Sequence, residues 1–562
     1  VDGENMWFSN YENQRLYRQS LGGEPEPITP EPQKERGDRY ADADITPDGE
    51  RLYCVRERHT EGDEPENTLV MVPSDGSEEP TVVASGHDFY SSPRVSPDGS
   101  RLAWLTWDHP SMPWDSTNLH VARIADDGTL VDEREVLGGT EESVFQPEWG
   151  PKGVLHAVSD RTGWWNLYRI EDGSPVALHT KEAEFGVPQW VFGLSTYAFL
   201  DDGRIAVIVG DKGEYELGLL NRSGDLHFPD LPFDAFPRTK IRSHANELLF
   251  IGANPRTPKS IVGWEPGEEH TILRRSGDVD VDDSYISVPE HITFPTGEEE
   301  AHAFYYPPHN PDVEEPDEEL PPLIVMCHGG PTANTLPTLD MEIQFWTTRG
   351  FGVADVNYRG STGYGREYRE RLNGEWGIID TLDCVNAARY LVDEGEVDGN
   401  RLAIRGGSAG GYATLCALAF HDTFDAGASY YGVADLEALA EKTHKFESRY
   451  LDSLVGPLPE AKDIYEDRSP VYHADGIDCP ILLLQGEEDA VVPPSQAEMM
   501  IESLEENNVP YAYLEFEGEQ HGFRRAESIE RAIEAELSFY AQVFGFEPAD
   551  DVEPVELIAE DT

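Results

Sequence analysis

The chain has 562 residues and carries 42 basic against 109 acidic side chains, a formal net charge of −67. Hydrophobic residues make up 38% and aromatics 10%, enough apolar material for packed cores, so general disorder is excluded despite the charge. The same charge repels phosphate backbones and anionic lipid, which excludes nucleic-acid and membrane-surface partners, and no apolar run approaches the ~18 residues that span a bilayer.

The acid excess is spread along the chain, with runs such as Glu298–Glu300 and Asp550–Glu553, whereas a partner-binding tail would concentrate it. Self-repulsion on this scale is tolerable where salt shortens the Debye length to about 3 Å near 1 M. This reads as a halophilic protein, against the plainer alternative of an acid-rich enzyme that simply stays soluble. Five scattered cysteines (54, 327, 384, 416 and 479) suit reduced thiols, and no basic-then-apolar leader opens the chain, so a cytoplasmic setting is expected.

Along residues 1–284, β-type runs follow turn signals about 50 residues apart. Asp2-Gly3 precedes Met6–Asn10, Pro47-Asp-Gly49 precedes Arg51–Val55, and Pro97-Asp-Gly99 precedes Arg101–Leu105. Gly150–Gly153 precedes Val154–Val158, Asp202-Gly203 precedes Arg204–Ile208, and His244–Ile251 resembles a sixth copy. A four-stranded unit repeated at this period predicts a β-propeller of about seven blades. The first blade is expected to be incomplete, because the chain enters a strand almost at once.

Residues 285–548 change character. Strands at Leu323–Cys327, Phe351–Asn357, Leu402–Ile404, Ala426–Tyr431, Ile481–Leu484 and Tyr511–Phe516 alternate with helical stretches at 379–393, 410–420, 494–507 and 527–543. Near-continuous apolar strands between helices predict a parallel sheet covered on both faces, an α/β-hydrolase arrangement. The acidic stretch 310–321 reads as a surface insertion and residues 549–562 as a frayed acidic tail. No cofactor or metal site is expected. Asp278, Asp280 and Asp282 imitate the start of a calcium loop, but Asp283 fills the slot that needs Gly.

The sharpest local signal is Arg405-Gly-Gly-Ser-Ala-Gly-Gly411, a G-x-S-x-G motif between a strand and a helix. That context suits a nucleophile elbow, with Ser408 exposed above the sheet. Its triad partners follow in the order acid, then base. Asp489 lies just past the strand 481–484 and His521 just past 511–516, with Asp435 as the runner-up acid. The oxyanion donors would be the amides of Ala409 and of Gly330 in His328-Gly-Gly-Pro331.

Together with Asn357–Gly365, Gly374–Gly377, Leu105–Asp115 and Val158–Tyr168, these motifs resemble the prolyl oligopeptidase family over nearly the whole chain, most of all its acylaminoacyl-peptidase and dipeptidyl-aminopeptidase branch. The resemblance implies a serine peptidase for short peptides whose propeller caps the active site. Its triad would be Ser408, Asp489 and His521, with Gly330 and Ala409 as donors. It implies no tyrosine donor, since His328 stands at that position, and it allows for a homo-oligomer. Dipeptidyl release would need carboxylates for the substrate ammonium, and Glu182 and Glu184 are the candidates. Tyr431, Val433, Phe446 and Tyr450 are candidates for an apolar pocket around the scissile residue, with core packing the equal alternative for each. A carboxylesterase with the same triad and a non-catalytic propeller scaffold stay open as alternatives.

Overall fold

A computed structural model describes residues 3–60, 64–171, 173–277, 281–314, 316 and 319–559. Asp2 of the first turn and Asp278 and Asp280 of the calcium-loop imitation lie outside them. The chain divides into two compact units: 1–211, 215–251 and 261–273 form the first, and 212–214, 252–260 and 274–562 the second. Among the described residues, no helix is long and apolar enough to cross a membrane.

The first unit is a β-propeller of antiparallel sheets. Five have four strands, such as Asp38–Ile45, Arg51–Arg58, Glu66–Pro73 and Thr81–Ala84. One, Asn5–Ser9, Leu16–Ser20 and Glu26–Pro27, has three. The described residues thus form six sheets where about seven blades were expected, because each of the six turn-and-strand copies supplies one sheet. The turns explain the period. Gly49 and Gly99 adopt φ of 74° and 71°, open to glycine at little cost. Asp48 and Asp98 accept from the Thr46 and Ser96 hydroxyls at 2.6 Å.

Successive sheets pack face to face: Tyr53, Leu69 and Met71 meet Tyr90, Leu102 and Trp104 in one apolar layer, and Leu105, Leu119 and Val121 meet Val144, Trp149 and Leu155 in the next. Buried polar rungs tie their first strands together. The Ser92 and Val95 amides donate to Asp42 and Asp44, and Arg94 pairs with Asp42 and Glu148.

The second unit is built on one eight-stranded sheet. Its strands are β1 (Glu290–Thr296), β2 (Glu299–Tyr306), β3 (Leu323–Cys327), β4 (Gly352–Asn357), β5 (Leu402–Gly407), β6 (Ala426–Tyr430), β7 (Ile481–Gly486) and β8 (Tyr511–Phe516), in the order β1-β2-β4-β3-β5-β6-β7-β8. The β1–β2 and β2–β4 pairs are antiparallel and the others parallel, which aligns the carboxyl ends of β3, β5, β7 and β8 along one rim. The helices Ile379–Asp393 and Ala409–Phe420 cover one face. Met341–Thr347 and Ala526–Phe544 cover the other, where Ile343, Trp346, Phe539 and Tyr540 pack on Ile324, Val353, Ala403 and Leu482.

The acidic tail is not frayed over the described residues 549–559. Val555 is buried and joins that core with Val552 and Leu557 against it, and Asp550 pairs with Arg349. Ile558 bridges to Tyr511 through two backbone hydrogen bonds. A few apolar residues within an acidic run are enough to dock it. Deleting residues 549–562 should therefore lower the unfolding free energy of this unit by about 2–3 kcal/mol, read from urea unfolding at constant salt. An unchanged midpoint would show that the docked segment contributes nothing.

Candidate active site

Ser408 occupies the turn between β5 and the helix Ala409–Phe420, with φ 58° and ψ −120°, a conformation that a non-glycine residue adopts only under constraint. The constraint is spatial. A Cβ on Gly410 would lie 2.0 Å from the Cys327 carbonyl oxygen at the end of β3, and one on Gly406 would lie 2.4 Å from the Gly410 carbonyl oxygen. Only glycine fits two residues either side of the serine. The Ser408 amide donates to the Tyr430 carbonyl at 3.0 Å and its own carbonyl accepts from Tyr412 at 3.0 Å, so the turn is pinned to β6 and to its helix.

Asp489 and His521 are brought together. Asp489 Oδ2 accepts from His521 Nδ1 at 2.7 Å, while Oδ1 accepts the Val491 and Val492 amides at 2.8 and 2.9 Å. With Nδ1–H committed to the carboxylate, His521 Nε2 keeps its lone pair for a proton. The loops carrying the two residues are zipped by hydrogen bonds from the Glu487 and Glu488 amides to the Phe516 and Glu519 carbonyls. Gly486 allows that approach, since a Cβ there would lie 2.5 Å from the Gln520 carbonyl oxygen. Asp435, the runner-up acid, is spent elsewhere: it caps the helix Leu436–Lys442 through the Ala438 amide and accepts the Tyr472 hydroxyl.

Gly407, the residue before Ser408, and His521 share Tyr431 as a neighbour. The His521 ring lies edge-on to Tyr431 at 4.9 Å, and a Cβ on Gly407 would lie 2.9 Å from the same ring. The serine hydroxyl and the imidazole are not hydrogen-bonded in this structure, a contact that often tightens only with substrate in place.

Beyond β3 the chain turns through His328-Gly-Gly-Pro331. Gly329, not Gly330, is the residue that abuts Ser408: a Cβ on it would lie 3.6 Å from Ser408 Cβ, whereas one on Gly330 would meet Thr332 and Ala333. The amides of Gly329, Gly330 and Ala409 have no acceptor among the described residues. His328 is held by Ser361 at Nε2 (2.8 Å) and stacks on Tyr358 at 4.2 Å. Burial pushes its imidazole down to about 4, so it is neutral near pH 7.

The remaining candidates separate. Tyr450 is buried and its hydroxyl bonds the Thr332 amide and side chain, so it anchors the loop after Gly330. Val433 is buried and Phe446 half-buried, and neither lines the cavity beside the serine. That cavity, about 760 Å³, is lined by Ser408, Gly329 and Tyr431 together with Asp355, Glu342, Phe345 and Phe523. In the first unit, Glu184 is buried with its carboxylate accepting the Trp165 amide at 2.9 Å, while Glu182 is exposed. Sequence reading missed Gly329, Asp355 and the loop anchor Glu519, whose carboxylate accepts the Arg524 and Arg525 amides just past His521. In a chain this rich in acids, nothing local distinguishes such carboxylates from solvated ones.

This arrangement matches known proteins. Residues 337–547 match the prolyl oligopeptidase family. A solved Mycobacterium tuberculosis puromycin-hydrolyzing peptidase is 44% identical with a TM-score of 0.95, covering 99% of this chain and 87% of that one. A solved puromycin hydrolase is 42% identical with a TM-score of 0.93, covering 98% and 86%. The dipeptidyl aminopeptidase BIII of Pseudoxanthomonas mexicana is 33% identical over 230 residues, 40% of this chain. The acylamino-acid-releasing enzyme of Arabidopsis thaliana is 28% identical over 225 residues. The matched segment spans only 33% and 28% of those two relatives' lengths. With an identity of 44% over 87% of a solved relative, the chain belongs to the prolyl oligopeptidase family.

Proposed function

We propose that the protein is a serine peptidase that releases N-terminal units from short peptides through an acyl-enzyme on Ser408. The observation that carries this reading is the backbone of Ser408, held at φ 58° and ψ −120° by glycines that admit no side chain. A core serine needs no such turn. A nucleophile that must stand clear of its sheet does.

In this reading Ser408 Oγ attacks the scissile carbonyl carbon while His521 Nε2 takes its proton, and Asp489 holds the imidazole and stabilises its positive form. The carbonyl oxygen becomes an oxyanion, met by the Ala409 amide and one from the His328-Gly-Gly loop. Its closeness to Ser408 favours Gly329 over Gly330. The C–N bond then breaks and the imidazolium gives its proton to the departing amine. Water attacks the acyl-enzyme, passes a proton to His521, and leaves the acid and free Ser408 after that proton returns to Oγ.

Relatives named for dipeptidyl-aminopeptidase, acylamino-acid-releasing and puromycin-hydrolysing activities define the substrate panel. The engagement of Glu184 with Trp165 weighs against a paired carboxylate clamp at Glu182 and Glu184. Five buried, unpaired cysteines support a reducing, cytoplasmic setting, and the charge of −67 supports work in concentrated salt.

Two tests follow from this chemistry. Ser408→Ala should abolish fluorophosphonate labelling and lower amide hydrolysis at least about a thousandfold with the fold intact, across free aminoacyl, acetyl-aminoacyl and dipeptidyl amides and puromycin in concentrated salt. Retained turnover would refute the site, and wild-type cleavage of nitrophenyl esters alone would point to an esterase. The second test concerns the loop behind the oxyanion donors. Folding keeps His328 neutral, with its titration moved from 6.5 down to about 4, so its contribution to stability is complete above 6.5 and is lost as pH falls through about 4. The Tm advantage of wild type over His328→Asn should therefore shrink over that window. A gap independent of pH would refute a neutral, buried imidazole.

A further inference from the structure

The cavity beside Ser408 lies on the sheet face covered by Met341–Thr347 and Ala526–Phe544. Asp355 shares that face with Val353 in β4, as Arg405 does with Ala403 in β5. Its walls are apolar, supplied by Met341, Phe345, Phe523, Ile529 and Ile533. Two carboxylates, Asp355 and Glu342, lie among them. Asp355 is 8% exposed; Oδ2 accepts the Thr335 hydroxyl and Oδ1 has no donor among the described residues. The single guanidinium or ammonium group in the lining is Arg405, and it is already held, with Nη2 on Glu342, Nε 2.9 Å from the buried Glu536, and its plane over Tyr430.

Asp355 thus faces a void with a free oxygen and no ion pair among the described residues, the nearby Arg405 being paired with Glu342 and Glu536. Burial, with added repulsion from Asp340 and Glu342, pushes its carboxyl up to about 7. The component this pocket lacks is a positive charge set at the end of an apolar stem. The cavity also lies on the base's side of the nucleophile: Tyr431, which packs on His521, and Phe523, two residues past it, both line it. The imidazole delivers its proton to the departing amine, so the departing group occupies that side.

We infer that this cavity is the leaving-group site and selects a departing amine whose side chain ends in a cation, as a lysine or arginine residue does. The inference rests on the reading of Ser408 as nucleophile. The net charge of −67 attracts cations to the whole molecule, so the local carboxylates must be separated from that field by substitution rather than by salt.

The test compares three peptide amides in wild type at one salt concentration: a shared acyl residue followed by lysinamide, the same acyl residue followed by norleucinamide, and lysine in the acyl position followed by norleucinamide. The lysinamide substrate should show about tenfold higher kcat/KM than its norleucine counterpart, and Asp355→Asn should bring the ratio near one. Glu342→Gln, a half-buried change that also removes the carboxylate paired with Arg405, should lower it partway and carries the test if Asp355→Asn does not fold. Free lysinamide should also slow fluorophosphonate labelling of Ser408 at lower concentration than norleucinamide. Equal turnover of the lysine and norleucine substrates, a preference for lysine in the acyl position instead, or a ratio unmoved by both substitutions would overturn the inference with the nucleophile intact. Failure of labelling at Ser408 would overturn both readings.

Discussion

The catalytic half of the molecule depends on one close approach, between the first turn of the helix Ala409–Phe420 and the carbonyl that ends β3. There is no room for a methyl group between Gly410 and the Cys327 oxygen, and that tightness bends β5 straight into its helix. A serine at the bend is driven to positive φ, a strain of roughly 1–3 kcal/mol that the surrounding hydrogen bonds must offset. The same approach sets Gly329 against Ser408 and leaves amides on both sides without acceptors among the described residues. The strained serine and the acceptor-free amides beside it are therefore consequences of a single packing contact, and any side chain inserted there displaces all of them together.

A second regularity runs through both units. The chain carries a large acid surplus, yet its informative carboxylates do not face water; they accept backbone amides. Asp489 takes two, Glu519 two and Glu184 one, while Asp435 takes one at a helix start. Such bonds to ionised acceptors are stronger than neutral ones and fix loops that would otherwise fluctuate. Against that background Asp355 differs: a buried carboxylate whose sole partner among the described residues is a side-chain hydroxyl.

Much of this was legible in the sequence because local rules and global fold agreed. The Pro-Asp-Gly turns marked the propeller strands since only a positive-φ residue closes them, and the G-x-S-x-G motif located the elbow because its glycines have no alternative. The order of strand ends placed Asp489 and His521 within a hydrogen bond of each other. What escaped detection depended on side chains meeting across the fold. Choosing between Gly329 and Gly330 requires knowing which one faces Ser408, and Tyr450 reads as a pocket residue until its hydroxyl is found on Thr332. The tail was misjudged for a similar reason: its composition is that of a solvated segment, and its docking rests on a few apolar positions such as Val555 and Leu557.

The docked tail also has a bearing on how the protein avoids its neighbours. β8 is the last strand of the sheet, and an unguarded outer strand invites another chain to pair with it. Ile558 occupies part of that margin through its paired bonds with Tyr511. In strong brine, where mutual repulsion between molecules is screened to a few ångströms, charge no longer keeps such margins apart. A strip of the chain's own backbone does so by occupancy, a form of protection that added salt does not weaken.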